Sequence, residues 1–206
     1  MKTLVCIPCM ESVPTDFVRC LITLQSVGET RFAFTRSSLV YDARHILASQ
    51  AIMNGFDRVL WLDSDMTFTA DLLVKLCATM DETGADLVSG LYFTRKNEPK
   101  PVLFSKCRKD AFEMYDPYPK DAVFDIEGCG FGGVLMTTEL LCRVGDKYQT
   151  IFAPYVGYGE DVSFCMRARE TGAKMVCDSR IKLGHIGYRI ITEETYEKRN
   201  ETCLQK

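Results

Sequence analysis

The sequence predicts an α/β protein with a mostly parallel central sheet flanked by helices and a small antiparallel element. Three observations predict it. From residue 3 to residue 93, short apolar runs alternate with stretches of helical spacing, joined by short links. That is the pattern of strand–helix–strand units around a parallel sheet. From Thr94 to Asp121 the chain turns polar and proline-dotted, so the alternation stops there. The chain has 206 residues, 47% of them hydrophobic and 26% charged, which suits one domain with one good core.

The elements follow in order. "TLVCIPC" at 3–9 is a short apolar run stopped by polar residues, hence a buried strand. In 15–28, Phe17, Val18, Leu21, Ile22 and Leu24 have helical spacing, with Thr15 to cap the helix and Gly28 to end it. "RFAFT" at 31–35 is a second strand, and 41–55 is a second helix closed by "NG". "RVLWLD" at 58–63 is a third strand, with the strongest burial signature in the chain. Residues 69–84 form a helix capped by Thr69 and closed by Gly84, and 85–93 a fourth strand.

Beyond it, 94–121 reads as a loop with a short edge strand at "PVLF", 101–104. Residues 122–138 carry two short strands around a glycine-rich turn. A short helix over 137–145 ends at Gly145, and another over 159–172 ends at Gly172. "AKMVCDS" and "IKLGHIG" are the last strands, and 192–206 is a polar helix or tail. No internal repeat and no linker divides the chain, so residues 1–206 read as a single domain.

Composition narrows the function classes. The formal net charge is -3, so no basic excess drives binding to nucleic acid. No stretch approaches the length of a membrane span. The apolar run after Lys2 breaks at Glu11 without a small-residue cleavage site, unlike a signal peptide. Most of the ten cysteines sit inside apolar runs, where they behave as small buried hydrophobes. Cys6 and Cys9 have redox or zinc spacing but no second pair, and read as structural thiols. A reducing, cytoplasmic setting follows.

Several groups could carry chemistry. "LDSD" ends the third strand in two carboxylates, Asp63 and Asp65, which repel unless a cation pairs with them. Ligands of open parallel sheets bind beyond the carboxyl ends of the strands. There the pair either holds Mg²⁺ or Mn²⁺, both suited to oxygen ligands, or is an Asp-rich turn before the next helix. Glu160 and Asp161 begin a helix: they either favour its dipole or supply a general base for an attacking hydroxyl. His185, flanked by glycines, is either a satisfied buried polar group or the ligand that completes a metal site begun at Asp65. His45, inside a helix, reads as structural. Gly128, Gly130, Gly132 and Gly133 let a backbone approach a ligand or form a tight turn. Arg36, Arg44, Arg95 and Lys96 stand at strand ends or in the helices entered from them, as diphosphate partners or solvated charges.

Their order resembles a family. "LWLDSD", then "GFGGVLMTTELLCRVG", then "GYGEDVSF", then a glycine-flanked histidine is similar to glycosyltransferases of the GT-A (Rossmann-like) fold, family 2-like and of the small bacterial and phage type. The "ARxxLA" helix at Ala43 to Ala48 supports it. The resemblance implies a nucleotide-binding half at 1–93, a donor sugar and acceptor half at 94–190, and a C-terminal helix or tail at 191–206. It implies a nucleotide-sugar donor, UDP by preference, and Mn²⁺ or Mg²⁺ as cofactor. Asp65 and His185, with Asp63, would hold the metal. Pro8, Arg36, Arg44, Asp63 and Ser64 would meet the nucleotide. Gly130, Gly132, Gly133, Arg95 and Lys96 would face the donor sugar or acceptor. Asp161 would be the base of an inverting transfer, with Glu160 beside it. Many family 2 members carry an acidic patch after the second strand; here that place reads "FAFTRSSLV".

Other classes remain open at this level. A sugar-phosphate nucleotidyltransferase uses a similar sheet with metal carboxylates, but the first strand here is not followed by a glycine-rich basic loop for a triphosphate. A non-catalytic transferase-like binding module is the third reading. The acceptor is a glycan, a lipid-linked sugar, a protein or modified nucleic acid. A homo-oligomer or a partner protein would help bind it, since little chain follows His185.

Overall fold

A computed structural model describes residues 1–187 and 192–197. β1 (Lys2–Cys9) is buried from Thr3 to Pro8. α1 (Thr15–Thr23) crosses to β2 (Glu29–Arg36), which lies parallel to β1 along its whole length. α2 (Val40–Met53) leads into β3 (Arg58–Leu62), every residue of which is buried. β4 (Met66–Thr67) follows after three residues, then α3 (Leu72–Thr83) and β5 (Leu87–Leu91). β6 (Leu103–Cys107) and β7 (Phe112–Met114) form a hairpin, followed by β8 (Val123–Asp125), β9 (Gly128–Cys129) and β10 (Gly133–Thr137). α4 (Thr138–Tyr148), α5 (Glu160–Glu170), β11 (Met175–Lys182) and β12 (Gly184–His185) complete the order, with a helical turn at 193–197.

The main sheet has seven strands in the order β2-β1-β3-β10-β5-β11-β8. β10 and β8 run antiparallel to their neighbours; the other pairings are parallel. β3 explains the continuous apolar run of the sequence, because both its faces are covered. Val59 and Trp61 enter a core with Leu47, Leu140 and Phe164 of α2, α4 and α5. Leu60 and Leu62 enter the opposite core with Phe17 of α1 and Leu73 of α3. Each such large apolar side chain contributes roughly 1.5–3 kcal/mol on burial.

Several boundaries differ from the sequence expectation for identifiable reasons. α1 ends at Thr23 because the Gln25 N–H is captured by the Ala70 carbonyl at 2.8 Å. Gly28 instead has φ +61 just before β2, and a Cβ there would lie 2.4 Å from the Met1 carbonyl oxygen. Thr15 does not cap α1; Pro14 occupies that position. Thr69 does not cap α3 either. Its hydroxyl donates to Asp71 Oδ1 at 2.6 Å, and Asp71 holds the N-cap. Gly84 does end α3, in the left-handed conformation. Gly145 lies inside α4, which runs on to Tyr148, and Gln149 takes the left-handed cap.

The stretch 94–121 is not a plain loop. β6 is the middle strand of a small sheet β7-β6-β9, not an edge strand. Its buried Leu103, Phe104 and Cys107 alternate imperfectly with polar residues, so proline and lysine dominate the pattern. The turn region at 122–138 holds three strands where two are expected, and β11 covers most of the first strand expected after Gly172 and runs on into the second, where β12 follows. The nine described cysteines are free thiols, and Cys6 lies in the core as expected. Most of the expected tail lies outside the described residues. No helix among the described residues is long and apolar enough to cross a membrane.

Candidate active site

β3 and β1 end at one rim of the sheet, where the helix N-terminus of α5 also arrives. Between them lies a cleft of about 660 Å³, lined by residues from β1, α2, the 63–65 turn, the stretch after β5, α5 and β12. That volume is ordinary for a small-molecule site, roughly 300–1,000 Å³.

The cleft's first feature is the turn after β3. Asp63, Ser64 and Asp65 all line it. The two aspartates meet different partners. Asp63 Oδ1 accepts from Arg44 Nη2 at 2.6 Å. Asp65 Oδ2 lies 2.8 Å from Arg95 Nη1 and 3.5 Å from His185 Nε2. The repulsion expected within the pair is thus relieved by separate cations. Burial pushes the Asp63 carboxyl up, with Arg44 opposing. Burial would also raise Asp65, but the His185 imidazole and the Arg95 guanidinium outweigh it and hold the carboxyl below its usual value.

His185 reaches Asp65 through backbone pairing. β12 pairs antiparallel with β4, placing Gly184 opposite Thr67 and His185 opposite Met66. The Ile186 N–H then donates to the Asp65 carbonyl at 2.7 Å. His185 Nδ1 lies 2.9 Å from the Phe93 carbonyl oxygen, which orients the ring. Tyr92 stands edge-on to it, centroids 5.6 Å apart.

α5 supplies the acids. Gly159 is its N-cap, and a Cβ there would lie 2.7 Å from Asp161 Oδ1, so the glycine leaves room for the carboxylate to fold back. Asp161 Oδ1 accepts from the Val162 N–H at 2.7 Å. Burial and then the neighbouring Glu160 charge push the Asp161 carboxyl up to about 6, against Val162 N–H and Arg44. Glu160 Oε1 accepts from Arg44 Nε at 2.9 Å. Both acids line the cleft. A carboxyl that titrates near 6 is mostly ionised at neutral pH yet more basic than an ordinary aspartate, which suits a general base.

Of the other expected residues, Pro8, Arg44, Arg95 and Lys96 line the cleft. Arg36 does not; it is exposed, 3.9 Å from Glu11 Oε1. Gly130, Gly132 and Gly133 do not line it either, and are buried behind it. Cβ atoms there would meet Tyr92 Oη at 2.1 Å, Tyr92 and Met66 at 3.0 Å, and Leu183 Cδ2 at 2.4 Å. The Gly132 N–H donates to the Tyr92 hydroxyl at 3.2 Å, so the turn seats Tyr92, which does face the cleft. Ser37, Ser38, Tyr92 and Thr94 also line the cleft and were not singled out by sequence. Tyr92 carried one usable signal: it ends a buried strand at the same rim as Asp63.

For a divalent ion, the residues offer one carboxylate and one imidazole side by side, Asp65 and His185. Among the described residues no three His, Cys, Asp or Glu side chains form a metal-holding group. A two-residue donor set fits an ion that takes the rest of its shell from substrate phosphates and water. Asp63, the third expected ligand, is engaged by Arg44 as Asp65 is by Arg95.

The sheet order, the acid-tipped third strand and the rim cleft define the GT-A fold of glycosyltransferases. Comparison with solved structures agrees. A197 from STIV superposes with a TM-score of 0.64 at 22% identity, covering 93% of this chain and 94% of that one. GalNAc-T7, solved with UDP, GalNAc and Mn²⁺, gives 0.59 at 11% identity over 90% of this chain. TarS of S. aureus gives 0.57 at 16% identity over 87% of this chain. The chain spans 44% of the GalNAc-T7 chain and 35% of TarS. No protein-family model matches the sequence. No curated protein matches it either.

Proposed function

We propose that this protein is a metal-assisted glycosyltransferase that moves a sugar from a nucleoside diphosphate donor, UDP by preference, to an acceptor hydroxyl with inversion. One observation carries the reading: Asp63, Asp65, Glu160, Asp161 and His185, spread over the chain, line a single cleft at the carboxyl rim of the sheet. The presence of UDP and Mn²⁺ in the GalNAc-T7 structure supports the choice of donor class and cofactor.

Pro8, Ser64 and Asp63 border the nucleotide side, and Arg95 and Lys96 supply cations near the diphosphate. A divalent ion held by Asp65 and His185 would neutralise charge on the departing diphosphate. Asp161 accepts the acceptor hydroxyl's proton as that oxygen bonds to the anomeric carbon and the carbon–phosphate-oxygen bond breaks. The diphosphate leaves with the bonding electrons. A reducing, cytoplasmic setting belongs to the same reading, supported by thiols packed as core residues.

Thermal unfolding with UDP, GDP, CDP and TDP, each with Mn²⁺ or with EDTA, tests the donor side. A ligand that binds only the folded state at 100 times its Kd adds about 2.7 kcal/mol. We expect UDP with Mn²⁺ to raise Tm, and Asp65→Ala to remove the effect. Absence of stabilisation by all four nucleotides would overturn the reading. Release of pyrophosphate from a nucleoside triphosphate and a sugar phosphate would replace it with nucleotidyl transfer.

A further inference from the structure

Arg44 lies at the cleft yet is no surface cation. Only 2% of the residue is exposed. Its guanidinium lies 5.4 Å from the Trp61 ring and 5.3 Å from the Phe131 ring. Nη2 is spent on Asp63 at 2.6 Å and Nε on Glu160 at 2.9 Å. Nη1 is buried with no hydrogen-bond partner. A buried cation of this kind is costly and is strongly missed once a partner is left alone. Its two acceptors come from different parts of the chain: Asp63 ends β3, and Glu160 begins α5. The helix α2 that carries Arg44 packs against β1, which ends at the same rim.

We propose that Arg44 is a positioning residue that ties the end of β3 to the start of α5 and so fixes the spacing between Asp63 and Asp161. Its site roles rest on the glycosyltransferase reading; the tie itself rests on geometry alone. Asp63 stands on the nucleotide side and Asp161, beside Glu160, on the acceptor side. The planar fork gives each carboxylate its own N–H at a fixed angle. A lysine ammonium keeps the charge but not that fork. A misplacement of about 1 Å between reacting groups costs on the order of 10²-fold in rate.

The test uses the full chain as Arg44→Lys and Arg44→Met, with Glu160→Gln as a milder cut that keeps an oxygen acceptor. Without any substrate, amide hydrogen exchange at 63–66 and 160–163 should rise together in Arg44→Lys, while α3 and β10 keep wild-type protection. Unchanged exchange in both segments overturns the proposal, and so does a uniform rise across the protein. In transfer assays below the melting range, kcat of Arg44→Lys should fall about 10²-fold with donor KM moving by only a few-fold. Equal kcat in Arg44→Lys and wild type overturns it. Effects of Arg44→Lys and Glu160→Gln should be non-additive, since one acts through the other. If wild type turns over no donor, the glycosyltransferase reading fails, and the exchange experiment still decides the tie.

Discussion

Two arginines pair the two aspartates of one Asp-Ser-Asp turn, and they do so in opposite surroundings. Arg44 holds Asp63 at 2.6 Å from a helix root beneath aromatic rings, almost fully buried. Arg95 holds Asp65 at 2.8 Å from an irregular stretch after β5, with half its side chain exposed. Contact distance is nearly the same, and energetics are not. The contrast lies in the arginines, since Asp63 and Asp65 are each about a third exposed at 33% and 29%: stranding a buried charge such as Arg44 is strongly destabilising, whereas exposed pairs contribute about 0–1 kcal/mol. The buried side of the cleft is therefore a fixed frame. The exposed side can exchange its partners, which suits the proposed place of a charged donor.

The largest expected effect lies on the buried side. Asp161→Asn would remove the proposed proton acceptor and keep the side chain's shape. Transfer should fall about 10²–10⁴-fold with the fold intact by circular dichroism. Wild-type turnover in this variant would remove Asp161 from the base role. In the wild type the rate should rise with pH through about 6, because the base must be ionised. Stability should move the other way. The folded carboxyl titrates at about 6 against an ordinary 3.8, so its contribution is present below about 4 and lost as pH rises through about 6. The groups around it are Glu160 and Asp63, which raise it, and Arg44 and the Val162 N–H, which lower it. Asp161→Asn should flatten that part of the curve of Tm against pH.

A smaller effect belongs to the glycine-rich turn behind the cleft. Gly133 leaves no room for a Cβ, which would lie 2.4 Å from Leu183 Cδ2. Gly133→Ala should cost about 1–3 kcal/mol by overpacking, and Leu183→Ala in the same chain should recover part of it. If Gly133→Ala instead left Tm unchanged and abolished nucleotide binding, the turn would belong to the cleft rather than to its support.

The same contrast explains what the sequence made legible. Asp63, Asp65, Glu160, Asp161 and His185 could be singled out because each carries chemistry at a strand end, a helix start or between glycines. The sheet could be read because β3 is apolar on both faces and glycines close α3 and follow α5. The tie between Asp63 and Glu160 could not, since it spans 116 residues from Arg44 to Glu160 and depends on burial. Arg44 reads as one cation among four and, through the resemblance, as a nucleotide contact, with nothing to mark it as a tie. The glycines of 130–133 are ambiguous for a related reason: glycine permits close approach to a ligand or to a neighbouring side chain, and local sequence does not distinguish Tyr92 from a sugar. The hairpin of β6 and β7 stayed hidden because its buried residues alternate imperfectly among prolines and lysines.

The smallest expected effect, on the exposed side, sharpens the comparison most. Arg95→Ala removes one partner of Asp65 and a bond to the Ile186 carbonyl oxygen at 3.3 Å. Because the arginine is half exposed, stability should change by less than about 1 kcal/mol. His185 stays beside Asp65, held by the β12–β4 pairing and the Phe93 carbonyl, so the turn keeps its shape. Function should not be equally indifferent. A guanidinium freed from Asp65 can meet a diphosphate with two N–H groups, and its loss should weaken binding of UDP with Mn²⁺ about tenfold by calorimetry. Salt should weaken wild-type binding more than Arg95→Ala binding, since a solvent-exposed charge is screened. A large drop in Tm for Arg95→Ala, comparable to that of Arg44→Met, would erase the distinction: both arginines would then be frame, and the exchange of partners at Asp65 would have no structural basis.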